Sequence, residues 1–200
     1  MRLIKFIFIL LIALPYNLNC LELDKKSPEN FVLNTSTKVI SLMSSKLPAR
    51  AKHDGLCHIF LEVMDVEWIG KFVLGHYWQP LTTEERRVYL TAYKKYLSNT
   101  YVSKLKEFND QKVVIKNVKK LDDGQYIMST EIQDPDSSIK VEYRIKETNT
   151  SYKIRDIIAE GVSLLNTERT QFGTALNNKD IYALNDLLNT KIVDGESDTN

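Results

Sequence analysis

The chain has 200 residues, 43% of them hydrophobic and 26% charged, with a formal net charge of +1. That length holds one domain with its own core, and the even charge balance gives no support to nucleic-acid binding, which usually needs a clearly basic face. Seven glycines and five prolines exclude collagen-like and low-complexity compositions.

The first twenty residues differ from the rest. Arg2 and Lys5 precede an apolar run from Phe6 to Leu14, which Pro15-Tyr16-Asn17 ends. A short positive region followed by an apolar stretch is the layout of a secretory signal peptide. The run is too short to span a bilayer, which takes about 20 residues. Residues 1–20 are therefore expected to be a removable signal, and 21–200 the mature single domain. Without them the balance becomes 25 basic to 26 acidic residues, a net −1. Cys20 is not expected to be lipidated, because Asn17, Leu18 and Asn19 do not supply the small residue and upstream Leu-like residue of an attachment signal. Cys57 then has no partner, so the fold must rest on its core rather than on a disulfide.

Ser27-Pro28-Glu29 opens a helix with a capping side chain, a first-turn proline and an acid at the positive end. Val32, Val39, Ile40 and Met43 fall on one of its faces. A second helix is expected over about Leu56–Met64, with His53-Asp54-Gly55 before it in a turn. Asp65 is placed to cap a third, carrying Val66, Ile69, Phe72 and Val73, which Gly75 ends. Thr82 and Glu85 form a capping box. Behind it Tyr89, Tyr93, Leu97, Tyr101, Leu105 and Phe108 recur at spacings of four and three, the strongest helical signal in the chain.

The period then changes to two. Val113 and Ile115 begin a strand that turns at Asp122-Asp123-Gly124, and Tyr126, Met128, Thr130 and Ile132 share a face of the next. Ile139, Val141, Tyr143 and Ile145 alternate with Lys140, Glu142, Arg144 and Lys146, a half-buried antiparallel strand with one wet face. A fourth strand carries Tyr152, Ile154 and Ile158 and ends at Gly161. Helices are expected at about Ser163–Leu176 and Ile181–Leu188, and a disordered tail over 193–200. The fold class is α+β: a curled four-stranded antiparallel meander, of the NTF2-like or cystatin-like kind, under a layer of helices.

Two segments resemble the MlaC, or toluene-tolerance, family of periplasmic phospholipid-binding proteins. One runs from Asp65 through Trp68 and Phe72 to Leu74-Gly75-His76-Tyr77-Trp78. The other runs from Tyr152 through Asp156 and Gly161-Val162-Ser163 to Arg169, Gln171 and Phe172; Tyr152 stands where the family usually has Trp. The resemblance implies a soluble carrier that shuttles phospholipid between the outer and inner membranes and maintains outer-membrane lipid asymmetry. It implies an outer-membrane lipoprotein complex and an inner-membrane ABC transporter complex as partners. It also implies no catalytic residue, no metal and no cofactor. A monomer suits such a shuttle.

An apolar cavity between sheet and helices would hold the cargo. Its expected lining is Phe72, Val73, Tyr93, Leu97, Tyr101, Met128, Ile132, Val141, Tyr143, Ile154, Ile158 and Leu165. Periodicity alone marks these positions as buried, whether the core is hollow or solid. Asp156 lies among apolar residues, and a buried carboxylate needs partners; Arg169 is the candidate. The alternatives are a small envelope enzyme, with His76 and Asp65 or Asp156 as an acid–base pair, or an interaction module on the same scaffold. His53, Cys57 and His58 are a weak metal signal without a fourth ligand.

Overall fold

The computed structural model describes residues 27–105, 112–133 and 137–176, together with 181, 184–186 and 188–189. The expected signal peptide, Cys20, Phe108 and the 193–200 tail lie outside the described residues.

Local capping sets the first helices. In α1 (Pro28–Met43) the Ser27 hydroxyl accepts from the Asn30 amide at 3.2 Å, which satisfies one of the amides that no helical carbonyl reaches. Val32 is buried, and Val39, Leu42 and Met43 pack half-buried against the core, so the apolar face runs the helix's length; Ile40, 39% exposed, lies at its margin. The second helix, α2 (Ala49–Val63), begins seven residues earlier than expected and includes His53, Asp54 and Gly55. Gly55 reads locally as a turn residue, yet here it lets two helices approach: a Cβ at this position would lie 2.7 Å from Leu42 Cδ2 of α1. Close packing has overridden propensity.

The third helix, α3 (Val66–Leu74), ends at Gly75, whose φ of 57° suits a residue without a Cβ. A 3-10 turn (Gly75–Trp78) leads to α4 (Thr83–Leu105). Its capping box forms: the Thr82 hydroxyl accepts from the Glu85 amide at 3.2 Å, and the Glu85 carboxylate accepts from the Thr82 amide at 2.8 Å. The Thr82 hydroxyl also donates to Glu85 Oε2 at 2.7 Å, and this bond first, then the one from the Thr82 amide, holds the Glu85 carboxyl below its usual pKa.

Five strands follow: β1 (Lys112–Lys120), β2 (Gln125–Gln133), β3 (Ser138–Glu147), β4 (Tyr152–Ala159) and β5 (Val162–Ser163). They pair antiparallel in chain order, so the sheet is a meander. The expected four strands gain a two-residue fifth, which folds back on β4 through Glu160 and Gly161, both at positive φ. That hairpin turn delivers the chain into α5 (Leu164–Leu176). The described residues among 181–189 are also helical.

The helices cover one face of the sheet. Met128, Ile145, Tyr152 and Ile154 from the strands join Leu56, Val73, Leu97, Leu165, Leu184 and Leu188 from the helical side in one apolar core. Burying each large apolar side chain contributes about 1.5–3 kcal/mol. The tyrosine stripe of α4 runs through this core: Tyr89 and Tyr93 are fully buried, with stacked rings 5.5 Å apart. The Tyr93 ring also meets Phe172 of α5 edge-on at 5.6 Å.

Candidate functional site

The site is built around an irregularity in β4. Ile154 pairs with Ile145 of β3 and Asp156 pairs with Arg144, so Arg155 is one residue more than β3 can match. Such a bulge bends the strand and reverses the facing of everything beyond it. Ile157 therefore turns toward the helices, packing against the core. Ile158, expected to line a cavity, lies instead opposite Glu142 on the outer face, beside a polar groove with Lys116, Ser129 and Glu131.

Between this bulge and the helices lies a narrow cavity. Its wall is made by Phe60 of α2, Met64 beyond it, Ile69 of α3, Tyr93, Leu97 and Tyr101 of α4, Arg155, Asp156 and Ile157 of β4, and Leu164, Leu165 and Glu168 of α5. The free space is about 20 Å³, room for roughly one water molecule. Most of the wall is apolar, and five elements supply it.

Three polar groups interrupt that wall, each held by partners. The Glu168 carboxylate is 3% exposed and accepts from the hydroxyls of Tyr101 at 2.9 Å and Tyr96 at 3.2 Å, tying α5 to α4. Burial first, and then the Glu168 charge, pushes both tyrosine hydroxyls well above their usual pKa. Burial likewise raises Tyr93, whose hydroxyl has no hydrogen-bond partner among the described residues. The Asp156 carboxylate, 2% exposed, accepts from Ser163 Oγ at 2.8 Å and the Leu165 amide at 3.1 Å, so it caps α5. The expected Asp156–Arg169 pair does not form. The Arg169 guanidinium lies over the Phe72 ring at 4.8 Å, and the cation nearest Asp156 is Arg144, at 4.0 Å.

Arg155 is the third group. Its Nε donates to Asp65 Oδ2 at 2.8 Å, and its guanidinium lies 4.5 Å from the Trp68 ring centre. Asp65 also donates its amide to the Ile154 carbonyl at 2.8 Å. Its side chain is thus committed to Arg155, not to the α3 amides it was expected to cap.

Four of the twelve expected lining residues, Tyr93, Leu97, Tyr101 and Leu165, stand in the cavity wall. Val73, Met128 and Ile154 are solid core, and Phe72 and Tyr143 pack against it half-buried. Val141 is buried and Ile132 half-buried, both away from the cavity. Glu168 went unread, though Leu165, Glu168, Phe172 and Leu176 recur at three and four on α5, and a charge in such a stripe signals a buried carboxylate. The imagined acid–base pair is not assembled: His76 is exposed beside Tyr77, 4.0 Å between ring centres. Cys57 Sγ sits 3.5 Å from His53 Nε2, with its thiol pKa raised by burial. No group of three or more potential metal ligands occurs among the described residues.

Fold and site together define an α+β protein whose helices close an apolar cavity against a curled meander. The family model described as MlaC protein matches residues 33–190. The toluene tolerance protein ttg2D of Pseudomonas putida is 24% identical over 177 residues, which is 85% of this chain and 80% of that protein. The intermembrane phospholipid transport system binding protein MlaC of Haemophilus influenzae is 25% identical over 129 residues, 62% of this chain and 60% of that one. A phospholipid-binding protein from Ralstonia solanacearum, solved in complex with a phospholipid, shares the fold with a TM-score of 0.72 at 17% identity, covering 83% of this chain and 97% of that one. The chain belongs to the MlaC family.

Proposed function

We propose that this protein is a phospholipid carrier of the bacterial periplasm. In this reading residues 1–20 direct export and the mature domain moves lipid between an outer-membrane lipoprotein complex and an inner-membrane ABC transporter. The observation that carries it is an apolar cavity walled by α2–α5 and β4 in a chain of the MlaC family. Among the described residues no helix is long and apolar enough to cross a membrane.

The physics sets what such a carrier must do. Exposing an acyl chain to water costs about 0.8 kcal/mol per methylene, so two long chains cannot cross an aqueous gap bare. An apolar enclosure removes that cost, and release stays possible because moving a chain between two apolar media is nearly neutral. The cavity, at about 20 Å³, must widen greatly to take a chain. The helices reach one another and β4 largely through side chains, so widening means parting α2–α5 from β4 while the strand ladder stays intact. This reading assigns no bond-making step to any residue.

The test is native mass spectrometry of the mature protein, purified from a periplasm without detergent, followed by lipid extraction. A stoichiometric phospholipid adduct is expected. A bare protein mass with no lipid in the extract overturns the carrier reading.

A further inference from the structure

We infer that the Asp65–Arg155 pair reads the headgroup of the bound lipid and selects zwitterionic phospholipids bearing a primary ammonium. The inference rests on the carrier reading and deepens it.

Arg155 is the one cation in the cavity wall among the described residues. Its side chain and that of Asp65 are each 23% exposed, whereas Tyr93 and Leu97 of the same wall are 0% and 3% exposed. The pair thus stands where the apolar wall meets water, the place a headgroup must occupy if the chains enter first.

Its hydrogen bonding is half used. Arg155 spends Nε on Asp65 Oδ2 at 2.8 Å, and its two Nη groups have no acceptor among the described residues. Asp65 Oδ1 has no donor there either. The Trp68 ring, 4.5 Å from the guanidinium, and the Asp65 carboxylate fix the fork's plane, so little freedom is lost when it binds a phosphate.

A lone arginine would favour any phosphate. Here an acid sits beside it, and the pair is neutral overall. A headgroup that carries its own positive charge next to its phosphate matches both members: phosphate oxygens on the Arg155 Nη groups, ammonium on Asp65 Oδ1. A phosphoglycerol headgroup is a net anion and brings no cation to Asp65. A choline headgroup brings a cation without an N–H to donate. The order of preference is therefore ethanolamine above choline and glycerol.

The test offers delipidated mature protein detergent-free vesicles with equal parts of phosphatidylethanolamine, phosphatidylcholine and phosphatidylglycerol, and reads the bound species by native mass spectrometry. Bound ethanolamine lipid should exceed each of the others by about fivefold, the scale of one partly exposed charge pair. In Asp65→Asn, which keeps an acceptor for Arg155, that ratio should fall to about one. Bound lipid that mirrors the vesicle mixture, or an Asp65→Asn protein that keeps the enrichment, overturns the inference while leaving the carrier reading standing. If Asp65→Asn does not fold, the ethanolamine-against-choline ratio of the unaltered protein decides by itself. No bound lipid of any kind sinks both readings together.

Discussion

Asp156 shows how one side chain can join two parts of the fold. Its carboxylate leaves β4 and accepts from Ser163 and Leu165 at the start of α5, where the helix end is also electrically positive. Asp156→Ala should lower stability by about 2 kcal/mol, visible as a lower urea midpoint. A midpoint equal to the parent's would mean the cap contributes nothing. The tyrosines predict a pH dependence. Burial raises Tyr89, Tyr93, Tyr96 and Tyr101 in the folded protein, so the unfolded chain ionises first, near pH 10. Their contribution is whole below that pH and is lost as pH climbs above it. Urea midpoints taken from pH 8 to 11 should hold steady and then drop, and Tyr101→Phe should make the alkaline drop shallower. An unchanged slope in that variant would contradict the buried Tyr101–Glu168 contact.

At the scale of elements, what was legible in the sequence was what is local. Ser27 and the Thr82–Glu85 box announce their helices because cap and first turn lie within four residues. Gly75 announces a helix end, and its φ of 57° with ψ of −121° makes a test. Gly75→Ala should cost about 1–3 kcal/mol in backbone strain, with its Cβ also 3.4 Å from the Arg169 guanidinium; equal thermal melts for variant and parent would refute it. The bulge at Arg155 was not legible, for a physical reason. Ile157 and Ile158 are both apolar, so either can face the core and the pattern fits both registers. That single uncertainty exchanged Ile158 for Ile157 in the site and left Arg155 unread. Asp65 resembles a helix cap, and only a residue 90 positions on shows where its carboxylate goes. Gly55 misleads in the same way, since its partner Leu42 lies across a helix pair.

At the scale of the molecule, periodicity identified the buried faces of the core but not where it thins. Whether a wall encloses 20 Å³ or none depends on how several surfaces meet, and no one segment encodes that. The carrier reading has a consequence here too. A ligand that binds only the folded state stabilises it, by about 2.7 kcal/mol at a hundredfold excess over Kd. Delipidated protein should therefore melt lower than protein re-exposed to phospholipid vesicles, and identical melting curves would count against an occupied cavity. Backbone amides of α4 and α5 should also exchange more slowly once lipid is present, because chains wedged between helices and sheet replace water there.

The cavity wall draws on residues spread from Phe60 to Glu168, and α5 supplies its last section. A chain made or threaded from its N-terminus has every other section of the wall before it has that one. On the carrier reading, a form that lacks α5 has a wall open on one side, and loading follows the completion of folding. In that reading the position of one helix along the chain sets the order of synthesis, export and lipid capture, without any device dedicated to keeping them apart.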